Sequence, residues 1–150
     1  MADIGRVQEQ VALTDRLSFQ LYAASRAMVG AYRRKLQEFD LTYPQYLTMH
    51  AVWEHEGRTV SELCEELELD SGTVSPILAR LEAEGYLARE RVGADGRQVR
   101  VFCTDSGREL QARVVPVPGD VATAAGLSDD EYWQLCQLLK SFRDAVRQPE

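Results

Sequence analysis

Apolar residues recur at helical intervals through the first quarter of the chain. Leu13, Leu17, Leu21, Ala24, Met28, Ala31 and Leu36 fall near a 3.6-residue period with no proline between them, which predicts one long helix from Val11 to Phe39. Pro44 suits the first turn of a second helix running through Trp53, because a missing N–H costs nothing there, and Gly57 ends it. Thr59, with Glu62 three residues later, has capping-box spacing and opens a short third helix to Leu67. Its inner face is Val60, Leu63, Cys64 and Leu67.

After a turn at Glu68 to Asp70, Ser71 is expected to cap a fourth helix, in which Val74, Ile77, Leu78 and Leu81 repeat at the interval that faces a core. Pro76 falls near the first turn, where it stiffens rather than breaks the helix, and Gly85 stops it. From Tyr86 to Cys103 the pattern changes from spiral to alternation. Leu87, Val99, Val101 and Cys103 interleave with Arg89, Arg91 and Arg100 around Gly93-Ala94-Asp95-Gly96, which predicts a β-hairpin with a basic tip. Thr104-Asp105-Ser106-Gly107 caps a further helix to about Val115, where Pro116, Pro118 and Gly119 interrupt or kink it. A last helix starts at Ser128, with Tyr132, Leu135, Leu138, Leu139, Phe142 and Val146 as its apolar face. No repeat or low-complexity linker divides the 150 residues, so residues 1–150 read as one domain.

With 45% hydrophobic and 27% charged residues the composition is that of an ordinary globular chain. No apolar run approaches the roughly eighteen residues of a membrane span, so no membrane partner is expected. Residues 1–10 lack an apolar stretch of signal-peptide length, and three cysteines are too few for a disulfide framework. A soluble protein of the reducing cytosol is the expectation. The net charge of −7 argues against indiscriminate polyanion binding, but its distribution is uneven. Between Glu38 and Asp70 nine carboxylates face Arg58 alone, whereas from Ser71 to Arg100 five arginines slightly outnumber the carboxylates. Cation density therefore rises over the fourth helix and the hairpin.

The order of elements, mainly α with a small β-hairpin wing, is that of a winged helix-turn-helix whose recognition helix enters the major groove. On that helix Ser71, Thr73 and Ser75 can hydrogen-bond phosphates or base edges, Gly72 allows close approach, and Pro76 stiffens the first turns. Arg80 follows further along. Against this stands a plainer reading: Ser71 only caps, Ser75 is solvated, and Arg80 pairs with Glu84 at the i, i+4 interval.

Five stretches follow one another in a fixed order: Leu41-Thr42-Tyr43-Pro44-Gln45-Tyr46-Leu47, Trp53-Glu54-His55-Glu56, Leu69-Asp70-Ser71-Gly72-Thr73, Asp95-Gly96-Arg97, and Val117-Pro118-Gly119 before Gly126-Leu127-Ser128. Together they resemble the MarR family of dimeric bacterial transcription regulators, in particular the branch that senses organic hydroperoxides. The resemblance implies a homodimer joined through N- and C-terminal helices, about residues 11–40 and 104–147, with the winged helix-turn-helix at about 41–103. Two recognition helices would then meet a double-stranded, pseudo-palindromic operator in grooves about 34–36 Å apart. It further implies that Arg97 reaches the minor groove while Asp95 shapes the wing tip. A narrow, electronegative minor groove favours an inserted guanidinium.

In the peroxide-sensing branch a reactive cysteine early in the first helix is held by two tyrosines from the partner chain. Here both tyrosines match, as Tyr22 and Tyr32, but the cysteine position is Ser18. A hydroxyl cannot enter the sulfenic-acid ladder, so that chemistry cannot begin at Ser18. Two explanations fit: an engineered Cys-to-Ser replacement that locks the DNA-binding form, or a natural regulator whose pocket takes a small organic effector, such as a phenol or aromatic acid. Cys64, Cys103 and Cys136 read as small hydrophobes; Cys103, following Arg100 and opening onto a loop, is the best placed of them for a thiolate.

An enzyme is not expected. The glycines at 93 and 96 belong to a hairpin tip rather than a phosphate-binding loop, and His50 and His55 are five apart, so they do not share a helix face as zinc ligands. His55 is expected to pack or cap near the end of the second helix. Neither cofactor nor metal is implied. A different class of reading is a dimeric ligand carrier that kept the fold and lost operator binding.

Overall fold

The computed structural model describes residues 11–147, and the chain divides into two compact units that meet in sequence at Val115 and Pro116. The first unit holds α1 (Leu17–Leu36), α2 (Tyr43–Glu54), β1 (Arg58–Thr59), α3 (Val60–Leu67), α4 (Ser71–Ala83), β2 (Leu87–Val92), β3 (Gln98–Cys103) and α5 (Asp105–Val114). The second holds α6 (Val117–Ala125) and α7 (Asp129–Val146). This is the expected, mainly helical winged helix-turn-helix.

The long first helix is shorter than its apolar period: 3-10 turns at Leu13–Asp15 and Gln37–Phe39 flank α1. Asp40 ends the second turn in the left-handed region (φ 53), which turns the chain into α2. Thr42 accepts from Gln45 N while the Gln45 side chain accepts from Thr42 N, a capping box with Pro44 inside the first turn. Thr59 and Glu62 form the same reciprocal pair at α3. Two bonds to Thr59, from its backbone and its hydroxyl, hold the Glu62 carboxyl below its ordinary range.

The core of the first unit lies where α2, α3, α4 and the sheet converge. Met49, Val52, Leu63, Val74, Leu78, Leu81 and Val101 are wholly buried, and Leu87, Leu110 and Val114 close its edges. Thr48, also wholly buried, donates its hydroxyl to the Pro44 carbonyl 2.8 Å away, satisfying both the side chain and a first-turn carbonyl.

The predicted hairpin is one part of a three-stranded antiparallel sheet in the order β1-β3-β2. Arg58 and Thr59 pair with Val101 and Arg100, so two residues just before α3 make an additional strand. The register corrects a second expectation. Leu87 lies opposite Cys103, Arg89 opposite Val101 and Arg91 opposite Val99, which puts both arginines on the face that carries the core residues. That face is apolar over the helices and turns basic beyond them, where Arg89 reaches Glu82 of α4 at 2.6 Å.

α5 starts hard against the base of the hairpin. Thr104 caps it by accepting from Gly107 N and donates its own hydroxyl to Gly85 O at 2.6 Å. A methyl at Gly107 would stand 2.3 Å from Tyr86 O and 2.6 Å from Cys103 Sγ, so only glycine fits. The Gly107 carbonyl in turn accepts from Trp53 Nε1 (3.1 Å) on α2.

Within the second unit the three residues Pro116, Pro118 and Gly119 do not merely kink a helix. They accompany a break and a new short helix, α6, with Pro118 in its first turn and Gly126 (φ 69) as its left-handed stop. Ser128 caps α7 through a capping box with Glu131, whose carboxyl its backbone and hydroxyl hold below the ordinary range.

Candidate nucleic-acid interface and sensing residues

α4 has one buried face and one free face. Val74, Leu78 and Leu81 are sealed into the core, while Ser71, Gly72, Thr73, Ser75, Pro76 and Arg80 are exposed. The cap of this helix is Asp70, not Ser71: Asp70 keeps an extended backbone and accepts from Thr73 N at 2.9 Å, so Ser71 is already the first helical residue. The second Asp70 oxygen accepts from the Thr73 hydroxyl at 3.1 Å, and these two bonds hold the carboxyl below the ordinary aspartate range.

Pro76 lies deeper than expected, as the sixth residue of α4 rather than at its first turn. The helix still runs through it, because the only intrahelical acceptor left without an N–H is the carbonyl four residues back, near the exposed start. Arg80 takes the plainer of its two readings in this chain. Its Nε donates to Glu84 Oε1 at 2.5 Å, and the pair holds the guanidinium above its ordinary range.

The wing tip is the second exposed cationic feature. Gly93 and Gly96 both have positive φ, and Gly96 N bonds to Gly93 O, closing a tight turn. Asp95 accepts from the Arg97 backbone N–H at 3.3 Å and lies 3.4 Å from its Nε, so one carboxylate fixes both the turn and the side chain of a well-exposed arginine. Arg91 donates to Gly96 O from the strand below. Arg100 is spent on structure: it donates to Gly57 O at 2.6 Å and to Gln98.

The candidate sensing residues are not brought together within the first unit. Ser18 and Tyr22 are one turn apart and exposed, and the Arg26 guanidinium lies 5.5 Å from the Tyr22 ring. Tyr32 sits fourteen residues beyond Ser18, about 21 Å along an α-helix. It packs instead against Tyr43 and Tyr46, with ring centroids 4.7 and 5.6 Å away. Both of those tyrosines escaped selection from sequence; their i, i+3 spacing at the start of α2 is the signal that could have found them. Beside them a cavity of about 340 Å³ is lined by Val29, Arg33, Leu41, Tyr43 and Pro44 among others.

Of the three cysteines read as small hydrophobes, Cys103 fits that reading and Cys136 departs from it. Cys103 is buried, its Sγ faces the Thr104 carbonyl at 3.4 Å, and burial pushes the thiol pKa up, the opposite of a reactive thiolate. Cys136 is exposed on α7 rather than buried, and Cys64 is half-buried. His55 is the C-cap of α2, where its Nδ1 accepts from Arg58 at 3.0 Å. Among the described residues no group of three metal-ligating side chains converges, and no helix is long and apolar enough to cross a membrane.

A capped helix with one exposed face, set beside a strand hairpin with an exposed arginine tip, defines a winged helix-turn-helix protein of the DNA-reading class. Sequence comparison narrows the class. The MarR family model matches residues 39–98. Over 146 residues the chain is 44% identical to the HTH-type transcriptional regulator TtmR of Methylorubrum extorquens, covering 97% of this chain and 74% of that protein. It is 36% identical to the organic hydroperoxide resistance transcriptional regulator of Bacillus subtilis, covering 93% and 95%. Among solved structures, reduced AbfR of Staphylococcus epidermidis bound to DNA superposes with a TM-score of 0.78 at 31% identity, over 94% of this chain and 96% of that one. The chain belongs to the MarR family and is a transcription regulator, not an enzyme.

Proposed function

We propose that the chain acts as a homodimeric repressor in the bacterial cytoplasm, binding a pseudo-palindromic double-stranded operator. The observation that carries this reading is the rigid, exposed start of α4: its far side is fully buried and its cap is complete without DNA. Ser71, Gly72, Thr73, Ser75 and Pro76 form the major-groove surface, and Arg97, steadied by Asp95, enters the minor groove. Arg80 reaches DNA only by giving up its Glu84 partner. The dimer is supported by apolar side chains left exposed on α1 (Leu17, Met28, Val29) and, separately, on α7 (Leu135, Leu138, Leu139, Phe142).

The regulatory pocket in this reading is of the hydroperoxide-resistance type, built from Ser18 of one protomer and Tyr22 and Tyr32 of the other. The 21 Å between Ser18 and Tyr32 along one helix supports a pocket completed by a second chain. A signal there shifts two reading heads that must both fit one duplex at fixed spacing, and displacement of a few ångströms releases it. Because Ser18 has no oxidisable sulfur, a second reading stands beside the first: the pocket binds a small aromatic or phenolic acid. A separate, largely apolar cavity lined by Arg33 and Tyr43, next to Tyr32 but bordered by neither Ser18 nor Tyr22, supports a small-ligand effector.

Fluorescence anisotropy on DNA from upstream of the chain's own gene tests this, using the protein and Ser18→Cys with and without cumene hydroperoxide at fixed salt. In Ser18→Cys the thiolate takes the terminal peroxide oxygen, giving a sulfenic acid and an alcohol. Release of Ser18→Cys alone supports the hydroperoxide-type pocket, and release of neither supports the second reading. Arg97→Ala should weaken binding and lower the salt slope by about one per protomer. A ligand carrier would show no salt-sensitive DNA affinity at all.

A further inference from the structure

The bond between Thr73 and Asp70 decides what α4 can read. A threonine hydroxyl has one proton and two lone pairs, and against DNA it ordinarily serves either acceptor or donor groups. Here the proton is committed. Thr73 Oγ1 donates to Asp70 Oδ2 at 3.1 Å while Asp70 Oδ1 accepts the Thr73 backbone N–H, so the residue is held to one carboxylate by two bonds. A bond to an ionised acceptor is stronger than one to a neutral base edge, so the proton stays with Asp70 when DNA arrives. The exposed side chain then offers a methyl group and oxygen lone pairs, with no donor.

We infer that Asp70 makes Thr73 a donor-less reader that selects the thymine methyl and rejects guanine in each operator half-site. The inference rests on the proposal that α4 enters the major groove. Guanine shows only the acceptors N7 and O6 on its major-groove edge, which meet the lone pairs of Thr73 and the Asp70 carboxylate with no proton between them. Thymine carries one acceptor, O4, where guanine carries two, and beside it a 5-methyl group for which the threonine methyl is an apolar partner; the methyl contact is what separates the two bases. Asp70 is therefore a positioning residue for base choice as well as a helix cap.

The experiment starts from duplexes that the full-length protein selects from a random DNA pool. Deoxyuridine then replaces each thymine in turn, and all four bases are tried at each half-site position, with the protein, Thr73→Ser and Asp70→Asn. One thymine should prove sensitive to loss of its methyl, with affinity falling about fourfold per half-site, the equivalent of about 0.8 kcal/mol for one methyl-sized group. In Thr73→Ser that sensitivity should vanish while guanine remains excluded. Asparagine caps helices as well as aspartate, so Asp70→Asn keeps the fold; its amide nitrogen cannot accept the Thr73 proton, and guanine should become tolerated there. A methyl sensitivity that persists in Thr73→Ser, or guanine accepted equally by the unaltered protein, overturns the inference while operator binding stands. Failure to select any duplex, with no salt-dependent affinity, overturns the DNA-binding reading and this inference together.

Discussion

The proposed reading end, at α4 and the wing, and the proposed sensing end, on α1, are built on opposite principles. At α4 and the wing two proposed contact residues have their support inside the same chain, Asp70 under Thr73 and Asp95 under Arg97, and the Val74, Leu78 and Leu81 face is locked in the core. On α1, Ser18 and Tyr22 stand exposed, fourteen and ten residues before Tyr32, and the described contact at Tyr22 is the Arg26 guanidinium over its ring. A reading head must keep one shape to fit a duplex of fixed geometry, so it is completed locally. If Ser18, Tyr22 and Tyr32 form the proposed switch, it couples two protomers, and a site left incomplete in one chain is completed across the pair.

The contrast breaks most visibly at buried and exposed leucines. Leu81 is wholly buried and Leu138 is 62% exposed. Leu81→Ala should destabilise the first unit by about 2–5 kcal/mol in urea titration, through lost transfer energy and the cavity left behind. Leu138→Ala should leave unfolding of an isolated chain within about 0.5 kcal/mol and appear instead as a rise in the dimer dissociation constant by sedimentation. Equal effects of the two on chain stability would remove the distinction between a finished and an unfinished surface.

A smaller effect tests how firmly the wing is seated. Gly107→Ala drives a methyl into Tyr86 O and Cys103 Sγ, and neither the backbone carbonyl nor the buried sulfur can yield freely. About 1–3 kcal/mol of stability should be lost, with the Trp53 bond to residue 107 weakened alongside. Tryptophan fluorescence during unfolding reads both. A neutral substitution would mean that the hairpin base shifts easily, and that the reading end is less rigid than its burial indicates.

What could be read from the chain follows the same division. The helices and the caps at Thr59 and Thr104 were legible because their signals repeat within three or four residues. β1 was not: Arg58 and Thr59 become a strand only by meeting Val101 and Arg100, far along the chain, and two residues hold no alternation. Asp70 was hidden behind Ser71, since adjacent good capping residues compete and only backbone geometry decides between them. The face of Arg89 and Arg91 was legible all along, since they stand two and four residues after Leu87 on one strand; the register adds only that Val101 and Val99 lie opposite them. The candidate sensing residues matched a motif, but their chemistry depends on a partner that no single-chain pattern contains.

The smallest expected effect concerns pH, and its sign follows from Asp70. Bonds to Thr73 lower its pKa in the folded state, so the charged form is favoured on folding, and the cap's contribution is fully present above the ordinary aspartate value of about 3.9. It is lost progressively as pH falls from that value through the still lower folded one. Between pH 5 and 8 Asp70 stays ionised, the Thr73 proton stays committed, and the base preference of the reading head should be flat. Competition binding of thymine- and guanine-containing half-sites across that range checks it. A preference that drifts within the window would show that a group other than Asp70 sets the polarity of Thr73, and that the reading end, like the sensing end, is finished by something outside its own cap.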